Sequence, residues 1–477
     1  MKTQSDGIGI NIIQAGLIGL LIFSPLPAAS VYGWSILVIE IIVLAMLGTY
    51  VLMREKPQIN ELLGSAVRWP KRLFFVFFLF LCLQIVPLPK FLIKVFSPGS
   101  HSYSELYAGG LSKTSFLSLS IIPSFTLQRA LELAPYFFLG FLVLKTVTRR
   151  RHIIRLYAVL IGLGAFEAFY GLFELYSGSP RILFYRKIHN LDSVTGTFVN
   201  RNHLSGYLEM VIPLAIGLLV SRIDFFALKN LTWRKKILRL SERGLAVNIL
   251  LLSAVVLMSI AVIFSNSRSG VFILVLIFLL FLGLTALSFD VPALRKKRIR
   301  TLFLMIFIII LVIALYVGLD SVLHRFSLDK LLQEKRPVYW ADALRMFADY
   351  PLFGTGLGTF GALAPPLEGE EGPLAIVHAH NDYLEYLSEL GLIGSLLLGG
   401  GVLLCLAISF RVWRTRKNPQ VKGLALGGIV SVAAILVHSL TDFNLHIPAN
   451  ILLFSVILAL TMVTAFYQKT AAPKDEK

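Results

Sequence analysis

Long apolar runs alternate with short polar segments along the whole chain. Twelve runs, over residues 8–29, 31–52, 73–93, 129–147, 153–175, 204–221, 244–264, 270–289, 301–319, 385–410, 423–441 and 449–467, are each long enough to cross a membrane. A helix rises about 1.5 Å per residue and the hydrocarbon layer is about 30 Å thick, so about 20 residues suffice. In lipid every backbone N–H and C=O needs a partner within the protein, which favours helices. The pattern therefore predicts an all-α integral membrane protein with about twelve transmembrane helices. The first run follows few charges, lacks a small-residue cleavage site and leads straight into the second, so a retained helix is expected rather than a cleaved signal peptide.

Composition strengthens this picture. Of 477 residues, 56% are hydrophobic and only 15% charged, with a mean hydropathy of +0.76. Soluble proteins carry about 25% charged residues, so a soluble cytosolic enzyme is excluded. The excess of 45 Lys and Arg over 27 Asp and Glu does not form a nucleic-acid footprint, because the basic residues sit in short clusters between the runs. With the N-terminus inside, 31 of the 45 fall in the inside segments, the orientation that concentrates Lys and Arg in the cytoplasm. Cys82 and Cys405 lie far apart within apolar runs and read as core residues, not as a disulfide or a metal site.

The expected organisation is a first part, residues 1–200, with five helices and two outer loops. A core over 201–467 contains a long outer loop, 320–384, between the ninth and tenth helices, and 468–477 form an inner tail. Three outer segments exceed simple connections: 94–128, 176–203 and 320–384. The last should hold short helices near 336–348 and 380–390 and a mobile acidic tip around Glu368, Glu370 and Glu371. No internal repeat, P-loop or dinucleotide fingerprint is present, and no cofactor is implied.

Charges on the outer side are the informative ones, since the positive-inside rule disfavours them. Arg201 lies in NRNHLSG, Arg268 in SNSRSG, and Arg336 and Arg345 in RPVYWADALRMF. A planar guanidinium that keeps its proton suits a phosphate or diphosphate at the membrane surface. The alternative is that these arginines snorkel to headgroups or pair with carboxylates such as Glu174 or Glu209. A second constellation, VHAHNDYLEYLSELGLIG, carries His378, His380, Asn381, Asp382 and Glu385 where the long loop enters the tenth helix. Histidine there can act as general base on a hydroxyl. The H-x-H pair with Asp382 could bind a metal, but no convincing further ligand completes the set, and no metal is expected. The remaining reading is that a histidine caps the tenth helix, with Asn381 or Asp382 as its N-cap. In HSLTDFNLHIPAN, His438 and Asp442 fall at i, i+4 on one helix face, ahead of His446 and Asn450; a polar lock between the last two helices is favoured. Glu167 lies deep in the fifth helix, seven residues from Glu174, as a functional carboxylate or as the balance of an arginine.

Taken in order, NRNHLSG, SNSRSG, RPVYWADALRMFADYPLFGTGLGTF, HAHNDYLEYLSELGLIG with its H-x10-G spacing from His380 to Gly391, and DFNLHIPAN resemble the O-antigen ligase superfamily of bacterial envelope proteins. The likeness covers roughly the last 300 residues by motif and the first 150 mainly by hydropathy. It implies a GT-C type glycosyltransferase of the inner membrane, working at the periplasmic face without a metal. The implied donor is a glycan on undecaprenyl diphosphate, and the acceptor a hydroxyl of lipid A core, another glycan or a protein. Carried over residue by residue, it implies catalytic roles for Arg201, Arg268 and His380, with Arg336 less securely. Arg345, His378, Asn381 and Asp382 join Arg336 as candidate substrate-binding residues. Related polymerases rely on loop arginines and lack the H-x10-G histidine, which favours a ligase; an exopolysaccharide polymerase with the same donor is the first alternative. A polysaccharide transporter is the second, disfavoured because the polar groups gather at the outer surface and not in broken helices at the midplane.

Overall fold

A computed structural model of the chain describes residues 7–54, 56–57, 60–107, 115–178, 181–183, 185–223, 243–287, 292–317, 335–369, 372–374 and 377–468. The expected acidic tip at Glu370 and Glu371, the opening of the long loop before residue 335, most of the basic segment 224–242 and the tail beyond 468 lie outside the described residues.

Each apolar run coincides with a helix. They are α1 (Ile8–Phe23), α2 (Gly33–Leu52), α3 (Arg68–Ile85), α4 (Pro123–Thr146), α5 (Arg150–Ser177), α6 (Arg201–Ser221), α7 (Arg243–Phe264), α8 (Arg268–Leu287) and α9 (Ala293–Val317). After the loop helix α10 (Arg336–Asp349) come α11 (Asp382–Thr415), α12 (Pro419–His438) and α13 (Pro448–Phe466). Ten of these are long and apolar enough to span a membrane among the described residues. Of the other two runs, α1 is shorter, at 16 residues, and α3 opens with Arg68, Lys71 and Arg72. Strands among the described residues amount to three antiparallel pairs of two or three residues per strand. The chain is an all-α, multi-pass membrane protein.

Burial divides the helices. α6 is almost wholly buried, α12 and α13 largely so, and α6 packs most extensively on α12. Glycine permits that approach: a Cβ at Gly217 would lie 2.6 Å from the Gly423 carbonyl oxygen and 2.8 Å from the Gly427 Cα. Around this centre the outer helices expose Leu37, Ile41, Phe75, Phe169, Phe272, Leu279 and Phe307. Such a belt would drive aggregation in water and faces hydrocarbon in a bilayer. Cys405 is buried as expected, whereas Cys82 is exposed on the apolar face of α3.

The loop helix α10 forms at the predicted place, starting with Pro337 at its first turn. The helix expected at 380–390 and the span expected from 385 are instead one run, α11, interrupted at Gly391 (φ +61°, ψ −169°). The segment after α10 docks on this break: Leu392 N–H donates to Pro351 O (2.8 Å), and Gly356 N–H to Glu389 O (2.9 Å). A Cβ at Gly391 would lie 2.5 Å from the Leu352 carbonyl. Gly391→Ala is therefore expected to cost at least about 1–3 kcal/mol from backbone strain alone. A melting temperature equal to that of the native protein in detergent would refute this role of Gly391.

Candidate active site

The H-x-H segment leads into α11 through Asn381, whose side chain accepts the N–H groups of Tyr383 (3.0 Å) and Leu384 (3.1 Å) and so caps the helix. Just before the cap, His380 adopts a left-handed backbone (φ +52°). That conformation is uncommon for a residue with a Cβ, and it turns the two histidines apart. Phe443 stands between them, stacked on His378 with centroids 4.2 Å apart and edge-on to His380 at 4.7 Å.

His380 Nδ1 donates to Asp442 Oδ1 at 3.1 Å, and 28% of the histidine side chain is exposed while the carboxylate is buried. Burial disfavours the Asp442 charge, but the His380 hydrogen bond and the charges of His203, His380 and Arg336 more than offset it and hold the carboxyl well below its usual range. An ionised carboxylate only accepts, so Nδ1 is the ring nitrogen that donates to Asp442, and Nε2 is the one not engaged by it. From above, α10 fixes the ring: Tyr339 stacks on it at 5.8 Å and Trp340 Nε1 donates to the His380 carbonyl at 3.4 Å. His203 Nε2 approaches the same Asp442 oxygen to 3.9 Å.

This geometry corrects the reading of HSLTDFNLHIPAN. α12 ends at His438, so Asp442 lies in the following turn and not on a shared helix face. His438 Nδ1 pairs with Glu209 (2.8 Å) on α6, whereas Asp442 crosses to His380. The H-x-H with Asp382 is likewise not one ligand set. His378 Nδ1 meets Glu385 Oε1 at 2.8 Å, and Asp382 Oδ1 meets His446 Nδ1 at 2.7 Å. The deep carboxylates also find local partners: Glu167 accepts the Thr197 N–H (2.9 Å), and Glu174 pairs with Lys187 (3.0 Å).

His378, Glu385 and His446 do bring ligand atoms within 4.8 Å of one another, close enough to hold a metal ion. His446 is, however, pushed up to about 9. Burial opposes its charge, but Glu385 and the hydrogen bond to Asp382 favour it. At neutral pH the imidazolium then bridges Asp382 and Glu385, its Nε2 lying 3.3 Å from Glu385 Oε1. Because the folded value lies above the ordinary 6.5, the stability this bridge contributes is complete below about pH 6.5 and is lost as pH rises through about 9. Melting temperatures from pH 6.5 to 9.5 should fall more steeply for the native protein than for His446→Gln. Equal slopes would mean that the bridge does not form.

The arginines approach from the other side. Arg201 opens α6 and donates from Nη1 to Ser193 Oγ (3.1 Å), and Arg268 opens α8. The two helix starts are tied together by a bond between Ser205 Oγ and Ser265 Oγ (2.8 Å). Ser269, next to Arg268, bonds Thr441 (2.8 Å), the neighbour of Asp442. Arg336, at the start of α10, is half-buried and its charge is felt at Asp442. Arg345, farther along α10, is 76% exposed and pairs with Asp342 at 2.9 Å. Beside His378 a cavity of about 440 Å³ is lined by Arg129, Glu132, Tyr136, Glu385 and Glu389. It abuts an aromatic cavity of about 450 Å³ that includes Phe74, Phe78 and Phe137, and Tyr136 and Tyr386 border both.

Asp442 and His446 are the partners that spacing alone did not identify. Their signal was the turn after a helix ending at His438, with an Asp and a His four residues apart. No curated protein matches the chain. The family model described as O-antigen ligase matches residues 253–399, a stretch that runs from α7 past Gly391 and contains Arg268, Arg336 and His380. That match, joined to the multi-pass helical architecture, supports the O-antigen ligase superfamily of ligase- and polymerase-like membrane glycosyltransferases.

Proposed function

We propose that the protein transfers a glycan from undecaprenyl diphosphate to a hydroxyl acceptor at the periplasmic face of the bacterial inner membrane, as an inverting ligase without a metal. The observation that carries this reading is the His380–Asp442 pair, standing where two helix starts bring arginines to the same end of the bundle. As the bond between the anomeric carbon and the diphosphate breaks, negative charge develops on the leaving group. Arg201 and Arg268, with Arg336, would stabilise that charge more in the transition state than in the ground state. His380 Nε2 takes the proton of the acceptor hydroxyl as its oxygen attacks the anomeric carbon from the opposite face. Asp442 holds the ring in the right tautomer and stabilises the imidazolium that forms. The guanidinium groups supply the positive charge a metal would otherwise provide. The abutting polar and aromatic cavities suit a substrate with a sugar head and a polyprenyl or acyl chain.

Ligation and polymerisation share this chemistry and differ in product. In a host carrying His380→Ala at the chromosomal locus, a ligase leaves long glycan chains on the lipid carrier and none on the final acceptor. A polymerase leaves only single repeat units. An unchanged glycan gel, with the variant present in the membrane, would reject both.

A further inference from the structure

Arg201, Arg268 and Arg336 stand on α6, α8 and α10, yet the two abutting cavities draw none of their described lining residues from those helices. The cavities lie between α2, α4, α11 and α13, with α3 closing the aromatic one. His378 lines the polar cavity and His380 does not, because Phe443 separates the two rings. Transfer between two substrates needs two places, and the arginines provide for one of them.

Glu132, Glu385 and Glu389 line the polar cavity, and all but one of their oxygens accept hydrogen bonds. Glu132 takes Gln128 Nε2 and Arg129 Nη1, both at 2.8 Å. Glu385 takes His378 Nδ1 and the Ala379 N–H, also at 2.8 Å. Glu389 takes the Phe360 N–H at Oε1 (2.9 Å), but its Oε2 is buried with no hydrogen-bond partner among the described residues, and the side chain's residue is only 2% exposed. A buried carboxylate oxygen without a donor is costly, and a ligand hydroxyl relieves that cost. The carboxylates repel phosphate and diphosphate, so the cavity selects a neutral ligand that donates hydrogen bonds. Arg129 has donors beyond the one given to Glu132 and can meet the ligand's own oxygens. Acceptors and donors side by side fit the hydroxyls of a sugar. The aromatic cavity continues this space past Tyr136 and Tyr386, and Leu133, Leu445 and Ile451 also border both. Tyrosine, with an apolar body and a polar tip, suits such a junction. The walls of the aromatic cavity are almost wholly apolar, and along α13 it runs from Ile451 to Met462. That is about 16 Å at the helical rise, the depth of one leaflet of hydrocarbon. The two cavities therefore form one space for a single amphiphile with a sugar head and one long chain.

We propose that Glu389 and Arg129 form a sugar-recognition site for the acceptor, which is lipid-borne and lays its chain against Phe74, Phe78 and Phe137. The role as acceptor site rests on the transfer reading above; the binding of a sugar with a chain does not. The test is therefore equilibrium binding to the purified full chain in amphipol, with no donor present. The probes are radiolabelled decyl glycosides of glucose, galactose, mannose and N-acetylglucosamine, each below its micelle concentration. At least one should bind one to one, about tenfold or more tighter than decanol or the free sugar. Glu389→Gln keeps an acceptor for the Phe360 N–H and should weaken that binding about tenfold. Val402→Trp, which fills the aromatic cavity far from Glu389, should weaken it about tenfold or more. Excess inorganic diphosphate should leave the glycoside bound. If Glu389→Gln fails to give monodisperse protein, Val402→Trp and the comparison with decanol decide. Binding of no glycoside, equal affinity for decanol, or native affinity in both variants overturns the site. Displacement by diphosphate gives the space to the donor and overturns the acceptor assignment. Binding that follows the expected pattern in a chain that transfers no glycan would overturn the acceptor role and leave the sugar site standing.

Discussion

Replacing His380 by alanine is expected to slow glycan transfer by about 10²–10⁴-fold, the usual contribution of a positioned general base. The loss should fall on turnover, because the ring is assigned to the attacking hydroxyl and not to the diphosphate. Asp442→Asn makes a sharper test of the pair. It leaves the shape of the side chain almost unchanged but lets an amide face Nδ1, so the ring no longer needs to keep its lone pair on Nε2. A comparable fall in turnover, with membrane expression and melting temperature near those of the native protein, is the expected result. Native turnover in both variants would assign the pair to structure alone. Asp442 reaches His380 at 3.1 Å from a turn 62 residues downstream, so the two variants probe one contact from separate elements.

The arginines give the second large effect. Arg201→Ala and Arg268→Ala should each lower turnover by about 10²–10³-fold, the range for removing one preplaced group that stabilises developing charge. Lysine should not restore activity, because a single ammonium cannot reproduce the fork that meets two phosphate oxygens. Arg345→Ala serves as the comparison: that guanidinium is 76% exposed and paired with Asp342, so its removal should have a small effect. Full activity in both Arg201→Ala and Arg268→Ala would refute the diphosphate clamp.

Much of the fold was legible in the sequence because a membrane allows few solutions. Twenty apolar residues have to be a helix where the backbone can find no other partner, so each run has its counterpart among α1–α9 and α11–α13. The loop helix α10 and the Asn381 cap were equally readable, since both rest on local rules. The pairings within the site were not. His378 and His380 part company because one residue adopts a left-handed backbone, and Asp442 leaves the face of His438 because α12 stops there. Neither choice is fixed by spacing; each depends on what packs nearby, here Phe443 between the rings and Glu209 opposite His438. Gly391 shows the same limit. Its separation from His380 was visible as a motif, while its physical reason, a helix break that receives the Leu352 carbonyl, required the fold.

The most direct measurement is reconstitution of the purified protein with an undecaprenyl-diphosphate-linked glycan and a separate hydroxyl acceptor, in buffer containing a metal chelator. Release of undecaprenyl diphosphate and the anomeric configuration of the new linkage are followed together. The expected outcome is stoichiometric release with an inverted linkage, unaffected by the chelator and lost in His380→Ala. Retention of configuration, or activity that disappears with chelation and returns with a divalent ion, would contradict arginine-assisted inversion and turn attention to His378, Glu385 and His446.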